Sequence, residues 1–555
     1  MSMGDSSTES KVCAPEALVC LLAAILPLIF IASLLQPFVA AKELLLAASA
    51  PALLLLWAAK VRSVALTPLW WPITALVTLG ACSLRGVTRY DTALLFISGL
   101  VIFAFTSSAI SSPAGRTRLA AVFTAVGALE AAYVLWQTMA GDPVFPAQDL
   151  PGKWRAFGTF GNPNWTGEFL VAAMLVTLGG LYGKFARLSA AALALMAAGL
   201  ACTFSRGAWL SLGIGIVALL RMRGIRLPRK AVSLAAGAFL ASLVAASFRP
   251  DMLRYLVNSD SLHGRLWIWM VTARMIAGAP WGVGTGAFGM HFPEVQARMF
   301  QTAWGQHFLS NASFTPTAHN DLLQLTAESG WVALPAIVAL LWLFVRRGRK
   351  LSGDSTAAGF WAAMLAMLVN GLFASPLYLP GSLGIMAILL GTVEEAAGRR
   401  CACGRIVQAI AFAAALAFGL IAWTWCWHRG VSEFELQRAS VAVAAHQWPQ
   451  ARQAIEIARR HDPACLEVYS LLGRTQLAER QFPAAVRSYR TAASLGFDTE
   501  VLMGEATALW HSDDRQAAIA ALVNLTRLRP DLHWPREHLV SMKASLKSTE
   551  TKETR

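Results

Sequence analysis

Apolar runs long enough to cross a bilayer recur along this chain up to residue 427, and short clusters of lysine and arginine separate them. A spanning helix needs about 20 mostly apolar residues, and roughly thirteen segments meet that criterion. They are 17–37, 43–59, 66–84, 91–111, 117–139, 165–183, 187–205, 207–221, 231–248, 322–345, 356–378, 381–397 and 405–427. Hydrocarbon offers a backbone no hydrogen-bond partners, so such segments fold as helices. The composition, 56% hydrophobic and 14% charged, agrees. The expected fold class is an all-α polytopic membrane protein with about 12–13 transmembrane helices.

The net charge of +15 would suit a nucleic-acid binder, but its distribution does not. Lys60-Val61-Arg62, Arg116-Thr117-Arg118 and the clusters in 184–187, 221–230, 346–350 and 399–405 each follow an even-numbered segment. The positive-inside rule assigns those connections to the cytoplasm and excludes nucleic acid as a partner. Arg85 and Arg89 run against the alternation and are outweighed. The loop 141–164, the junction Ser205-Arg206 and the long loop 249–320 then face the other side. No small-residue cleavage site follows Lys11, so the first apolar segment is expected to remain as a membrane helix.

That topology gathers on one face polar residues far apart in sequence: Arg155, Asn162, Asn164, Arg206, His263, Arg265, His319, Asn320 and Asp321. Arg206 interrupts two apolar segments, where a guanidinium needs a partner, headgroups or a wet cavity. Arg265 lies in the first turn of an expected amphipathic helix with Trp267, Met270 and Arg274 at helical spacing, which reads equally as an interfacial helix with an aromatic belt. Two planar, permanently charged guanidiniums suit the oxygens of a diphosphate. His319 ends the loop, with Asn320 and Asp321 beside it to orient the ring, and a histidine there is suited to take a proton from a hydroxyl. Glu130, Glu168 and Glu328 fall within or at the start of apolar segments and rank below these three. Pro280-Trp281-Gly282-Val283-Gly284-Thr285-Gly286 lacks the Lys-Ser/Thr ending of a nucleotide cradle and reads as a turn.

The 8 cysteines are scattered, and Cys20, Cys82, Cys202 and Cys426 lie in or against apolar segments. Cys401-Ala402-Cys403 lacks the two-residue gap of zinc pairs. No histidines stand at metal-ligand spacing and there is no Asp-x-Asp, so metal-independent chemistry without a cofactor is expected.

Beyond residue 428 the sequence turns soluble and helical. His446-Gln447-Trp448-Pro449-Gln450-Ala451 recurs as Arg480-Gln481-Phe482-Pro483-Ala484-Ala485 and loosely over 513–518, which is the period of roughly 34 residues of tetratricopeptide helix pairs. Leu471-Leu472-Gly473, Asp462-Pro463 and Arg529-Pro530 fit that pattern. The expected division is a cytoplasmic tail 1–16, a membrane domain 17–428 with its large loop 249–320, a repeat solenoid 429–546 on the non-cytoplasmic side, and a disordered tail 547–555.

The strings Ser205-Arg206-Gly207-Ala208-Trp209, Gly264-Arg265-Leu266-Trp267-Ile268-Trp269 with Pro280-Trp281-Gly282-Val283-Gly284, and His319-Asn320-Asp321-Leu322-Leu323-Gln324 to Gly330 resemble the O-antigen ligase and polymerase superfamily of bacterial envelopes. The resemblance covers roughly residues 17–400, its specific core about 190–345. The ligase pattern of His, then Asn, Ser or Gln, nine residues and Gly is met by His319, Asn320 and Gly330. It expects Gly, Thr or Tyr three residues later, where Ala333 stands, so the pattern does not separate ligase from polymerase.

The resemblance implies a GT-C-like, metal-independent inverting glycosyltransferase of the bacterial inner membrane, with a periplasmic C-terminal domain. Its donor would be a glycan on undecaprenyl diphosphate, held by Arg206 and Arg265, and His319 would activate the acceptor. Lipid A-core, a growing glycan and a protein are the candidate acceptors, the repeat domain serving a protein partner. Outside enzymes, the alternative is a polysaccharide transporter or an assembly scaffold. That reading needs polar residues through the midplane, such as Glu130 and Asn370.

Overall fold

The computed structural model describes residues 13–60, 63–66, 68–82, 90–145, 155–180, 186–224, 260–351, 353–397, 399–402 and 404–553. Helices α1 (Ala14–Leu28), α2 (Val39–Lys60), α3 (Trp70–Cys82), α4 (Asp91–Ala109), α5 (Pro113–Ala140), α6 (Pro163–Gly179), α7 (Ala186–Thr203) and α8 (Arg206–Met222) precede the long loop. Within the loop run α9 (Asp260–Gly278) and α10 (Phe288–Phe300), and after it come α11 (Asp321–Ser329), α12 (Ala333–Gly348), α13 (Ser355–Asn370) and α14 (Pro380–Ala397). Among the described residues α2, α4, α5, α7 and a later helix, α15 (Arg405–Ala444), are long and apolar enough to cross a membrane. The expected segment 231–248 lies outside the described residues. Among the described residues the one departure from helical secondary structure is a ribbon in which Ser63–Leu66 pairs antiparallel with Arg399–Ala402, Ser63 opposite Ala402.

Charge organises one end of the bundle. Arg347 of α12 meets Glu394 of α14 at 3.0 Å, and both side chains are buried. Arg116 of α5 reaches Asp354 at 2.6 Å and also pairs with Glu395, while Arg118 holds Glu16 of α1. The starts of α1, α5 and α13 and the ends of α12 and α14 therefore share one face, as the alternation of basic clusters requires. Arg347→Met leaves Glu394 buried without its guanidinium. Removing one partner of a buried pair costs about 3–5 kcal/mol, so a large drop in the melting temperature of the detergent-solubilised chain is expected.

Four apolar segments fold differently from their hydropathy reading. The run 17–37 stops as a helix at Leu28. The run 322–345 is two helices, broken at Gly330. Gly330 has φ +79°, which favours glycine, and an added Cβ would sit 2.5 Å from the Pro280 carbonyl oxygen. The run 356–378 stops as a helix at Asn370, and the chain from 371 to 379 turns back irregularly. The run 405–427 does not stop: α15 has 40 residues and is about 60 Å long at 1.5 Å per residue. The boundary expected at 428/429 thus falls inside a helix. Arg429 fastens that region, with Glu43 at 3.4 Å, Glu433 at 2.9 Å and Asp462 at 3.8 Å.

The C-terminal region stacks α15's last turns with α16 (Trp448–His461), α17 (Leu466–Ala478), α18 (Phe482–Leu495), α19 (Thr499–His511), α20 (Arg515–Leu528) and α21 (Trp534–Glu553). The non-glycine residues His446, Arg480 and Asp513 all take positive φ where one helix ends and the next is about to begin. They are 480 − 446 = 34 and 513 − 480 = 33 residues apart, so the sequence period is also a backbone period. Ala451, Ala454 and Ile455 pack with Leu436 and Ala439, and Ala485, Tyr489 and Ala492 with Val501 and Leu509. The stretch expected as a disordered tail from 547 is helical through Glu553. This region docks on the loop: Arg527 donates to both carboxylate oxygens of Glu294, at 2.7 and 3.1 Å, and Phe314 meets Phe497 with ring centroids 5.0 Å apart.

Candidate functional site

The site lies at the end of the bundle opposite the Arg347–Glu394 pair. Helix α13 spans the two ends, with its start capped by Asp354 beside Arg116 and its last residue, Asn370, in the site.

Two residues separate α7 from α8. Phe204 takes φ +49° and Ser205 the N-cap position, so Arg206 is the first residue of α8. Gly207 follows because Asn370 crowds it: a Cβ there would lie 2.9 Å from Asn370 Oδ1. Asn370 Nδ2 in turn donates to the buried Glu168 Oε2 at 2.6 Å. On the other wall Asn162 caps α6, accepting from the Asn164 amide at 2.9 Å. Arg155 then ties this cap to the end of α7, donating to Asn164 Oδ1 and to the Thr203 carbonyl, both at 2.8 Å.

His319 is positioned by its neighbours. The amide of Ala318 donates to Gln324 Oε1 at 3.0 Å, and Asn320 caps α11 by accepting from the Leu323 amide at 3.1 Å. Asn320 Nδ2 donates to the Leu372 carbonyl at 3.2 Å and the Asp321 amide to the Gly371 carbonyl at 2.8 Å. Between these anchors His319 takes φ +48°, a left-handed conformation in which histidine is enriched among non-glycine residues. Its Nε2 lies 3.5 Å from Thr315 Oγ1, whose own proton goes to the Thr317 carbonyl at 2.6 Å. Burial, reinforced by the charge of Arg265, holds the imidazole below its ordinary pKa. At neutral pH the ring is therefore uncharged and keeps a lone pair for a proton.

These elements enclose a cavity of about 360 Å³ lined by Arg265, His319, Asn370, Asn162, Asn164 and both neighbours of Arg206, namely Ser205 and Gly207. The structure thus brings together Arg265, His319, Asn162 and Asn164. Arg206 stands between two lining residues but does not itself line the cavity. The structure places the other candidates elsewhere. Asn320 and Asp321 do not line the cavity and serve the backbone around His319; Asp321 Oδ2 accepts from the Leu377 amide at 3.4 Å. Arg155 acts through Asn164. His263 is exposed on the first turn of α9 and does not line the cavity, and Arg265 lies in the second turn of that helix, not the first.

Trp267, expected in an interfacial belt, is instead the centre of the loop's own core. It donates to Gln296 Oε1 at 2.9 Å and stacks on Phe300 and Phe308. Asn370, a lone amide in an apolar run that the sequence offers only as a midplane polar residue, lines the cavity. Glu130 binds the amide and hydroxyl of Thr159, and Glu328 accepts from Tyr378 Oη at 3.0 Å. Among the described residues no group of three or more His, Cys, Asp or Glu side chains is placed to hold a metal ion.

Residues 191–338 match the family model described as O-Antigen ligase (Wzy_C). The match runs from within α7 into α12, so it contains Arg206, Arg265 and His319 and ends before Asn370. It points in general to transfer of a lipid-linked glycan to an acceptor by a glycosyltransferase-like ligase in a membrane. The C-terminal helices lie outside the O-antigen ligase match. No curated protein matches the chain.

Proposed function

We propose that the chain transfers a glycan from an undecaprenyl diphosphate carrier to an acceptor hydroxyl at the periplasmic face of the inner membrane. The observation that carries this reading is the cavity shared by His319 and Arg265, whose lining includes both chain neighbours of Arg206, with all three residues inside the span matched to the O-antigen ligase family. His319 removes the hydroxyl proton as the acceptor oxygen forms its bond to the anomeric carbon. The bond from that carbon to the diphosphate oxygen breaks on the opposite side, and the electron pair leaves with the diphosphate. The anomeric centre inverts. Arg265 and Arg206 bind the diphosphate and meet the charge that grows on it, a role in which fixed donors are worth most. Arg155, Asn162 and Asn164 hold the α6 and α7 ends that shape the donor side.

The repeat period supports a tetratricopeptide-like domain in the periplasm, and its contact with the loop through Arg527 and Phe497 gives a protein acceptor or partner a place beside the site. A transporter is less well supported. Of the midplane residues it needs, Glu130 is engaged by Thr159, and Asn370 is bonded to Glu168 at the end of α13, where it lines the cavity.

The test is transfer in vitro by the purified full chain from a defined undecaprenyl diphosphate glycan, offered lipid A-core, a glycan primer and a protein in turn. Transfer to one of them identifies the acceptor class; failure with all three sinks the enzymatic reading.

A further inference from the structure

The larger cavity of the loop is not the one that holds His319. It lies between α9 and α10, has a volume of about 930 Å³, and is within the size range of ligand sites. Arg274, Arg298 and His291 contribute to its lining, among the described residues no acidic side chain does, and Met275, Met290 and Met299 contribute to its apolar surface. Arg274 follows Arg265 by nine residues on α9, about 14 Å along the helix. The two cavities share no lining residue and are separate. Phe288 and Phe292 are buried in the core of the loop, and Gly289 abuts Pro316, a lining residue of the His319 cavity.

The height of this cavity relative to the membrane can be read from tryptophans. Trp281, 71% exposed, stands between the lining residues Ala279 and Gly282. Trp331, 55% exposed, donates its amide to the Pro280 carbonyl at 2.9 Å and stands two residues before the start of α12. The exposed residues of α12 include Leu334, Val338, Trp342 and Val345, an apolar face suited to lipid. Exposed tryptophans at the end of such a face mark headgroup level. A cavity at that level with guanidiniums at its rim and flexible thioethers inside suits a molecule with an anionic head and an apolar body.

We propose that the α9–α10 cavity binds the phosphate-bearing head of an anionic membrane amphiphile through Arg274, Arg298 and His291. The inference rests on this cavity alone and stands whether or not His319 is a catalytic base. Glu294, one turn before Arg298 and 3.8 Å from it, is also held by Arg527 of the C-terminal domain, so occupancy is in electrostatic contact with that domain.

The probe is dioleoylphosphatidylglycerol added to the full chain in neutral detergent, with dioleoylphosphatidylcholine and inorganic phosphate as separate arms. The readouts are adducts in native mass spectrometry and amide exchange over 274–302. Phosphatidylglycerol is expected to bind saturably and protect that stretch, phosphatidylcholine to do neither, and Arg274→Gln/Arg298→Gln to weaken binding at least about tenfold, as loss of two charge-assisted contacts predicts. Protection by inorganic phosphate equal to that by the lipid would overturn the amphiphile assignment, and unchanged binding in the double variant would overturn the site. Val295→Trp keeps both guanidiniums while filling the cavity. It is expected to weaken binding as much, and it decides the matter if the double variant fails to fold.

Discussion

His319→Ala is expected to lower the rate of glycan transfer by about 10²–10⁴-fold, the usual contribution of a positioned general base. Binding of the lipid-linked donor should persist, because the diphosphate is assigned to the arginines. The pH profile supplies an independent check. Burial and then Arg265 pull the His319 pKa below 6.5, so the neutral, base-competent ring predominates from mildly acidic pH upward. The wild-type rate should rise with pH through an inflection below 6.5 and be flat between pH 7 and 8. A profile still climbing above pH 8, or a His319→Ala variant with full activity, removes His319 as the base.

Arg265→Gln is the second large effect, and it should appear in two places at once. Loss of a preorganised donor to a developing negative charge costs about 10²–10³ in turnover. The same substitution takes a cation away from His319, so the inflection of the residual activity should move to higher pH. The two readouts separate chemistry from architecture. A residue that merely supported α9 would lower the rate without moving the inflection, and that outcome would confine Arg265 to a structural part.

Much of this site was legible because membrane topology is written in charge. The alternation of basic clusters places 116–118 and 346–350 at one end of the bundle, and the ion pairs of Arg116, Arg118 and Arg347 gather there. The same alternation sends Asn162, Arg265 and His319 to the other end, where they line the cavity, and Arg206 to the helix start beside it. Hydropathy was blind to what happens inside an apolar run. It could not distinguish α11 and α12 from one continuous span, because the break at Gly330 depends on a carbonyl of the distant Pro280. It read Asn370 as a midplane residue, because the helix end that delivers it to the cavity has no charge or proline to announce it. Trp267 misled for a related reason. Tryptophan is common at membrane interfaces, but this one faces a partner at Gln296, twenty-nine residues on, that no local pattern reveals. The continuity of α15 was hidden by composition, which changes from apolar to soluble near residue 428 while the helix carries on.

That continuity makes the placement of the C-terminal domain a matter of helical phase. On the membrane side α15 is keyed to its neighbours, Trp423 donating to the Ala48 carbonyl at 3.0 Å and Trp425 to Asp91 at 2.9 Å. Beyond Arg429, which also reaches Asp462 at 3.8 Å, the azimuth along the rod advances with residue count, at about 100° per residue. Two residues inserted after Leu436 would swing α16 to α21 by about 200° and carry Arg527 away from Glu294. Seven would come round almost to the original bearing and lift the domain by about 10 Å. The chain can therefore change its length in this rod only in near-heptad steps without turning the repeat domain away from the loop it contacts.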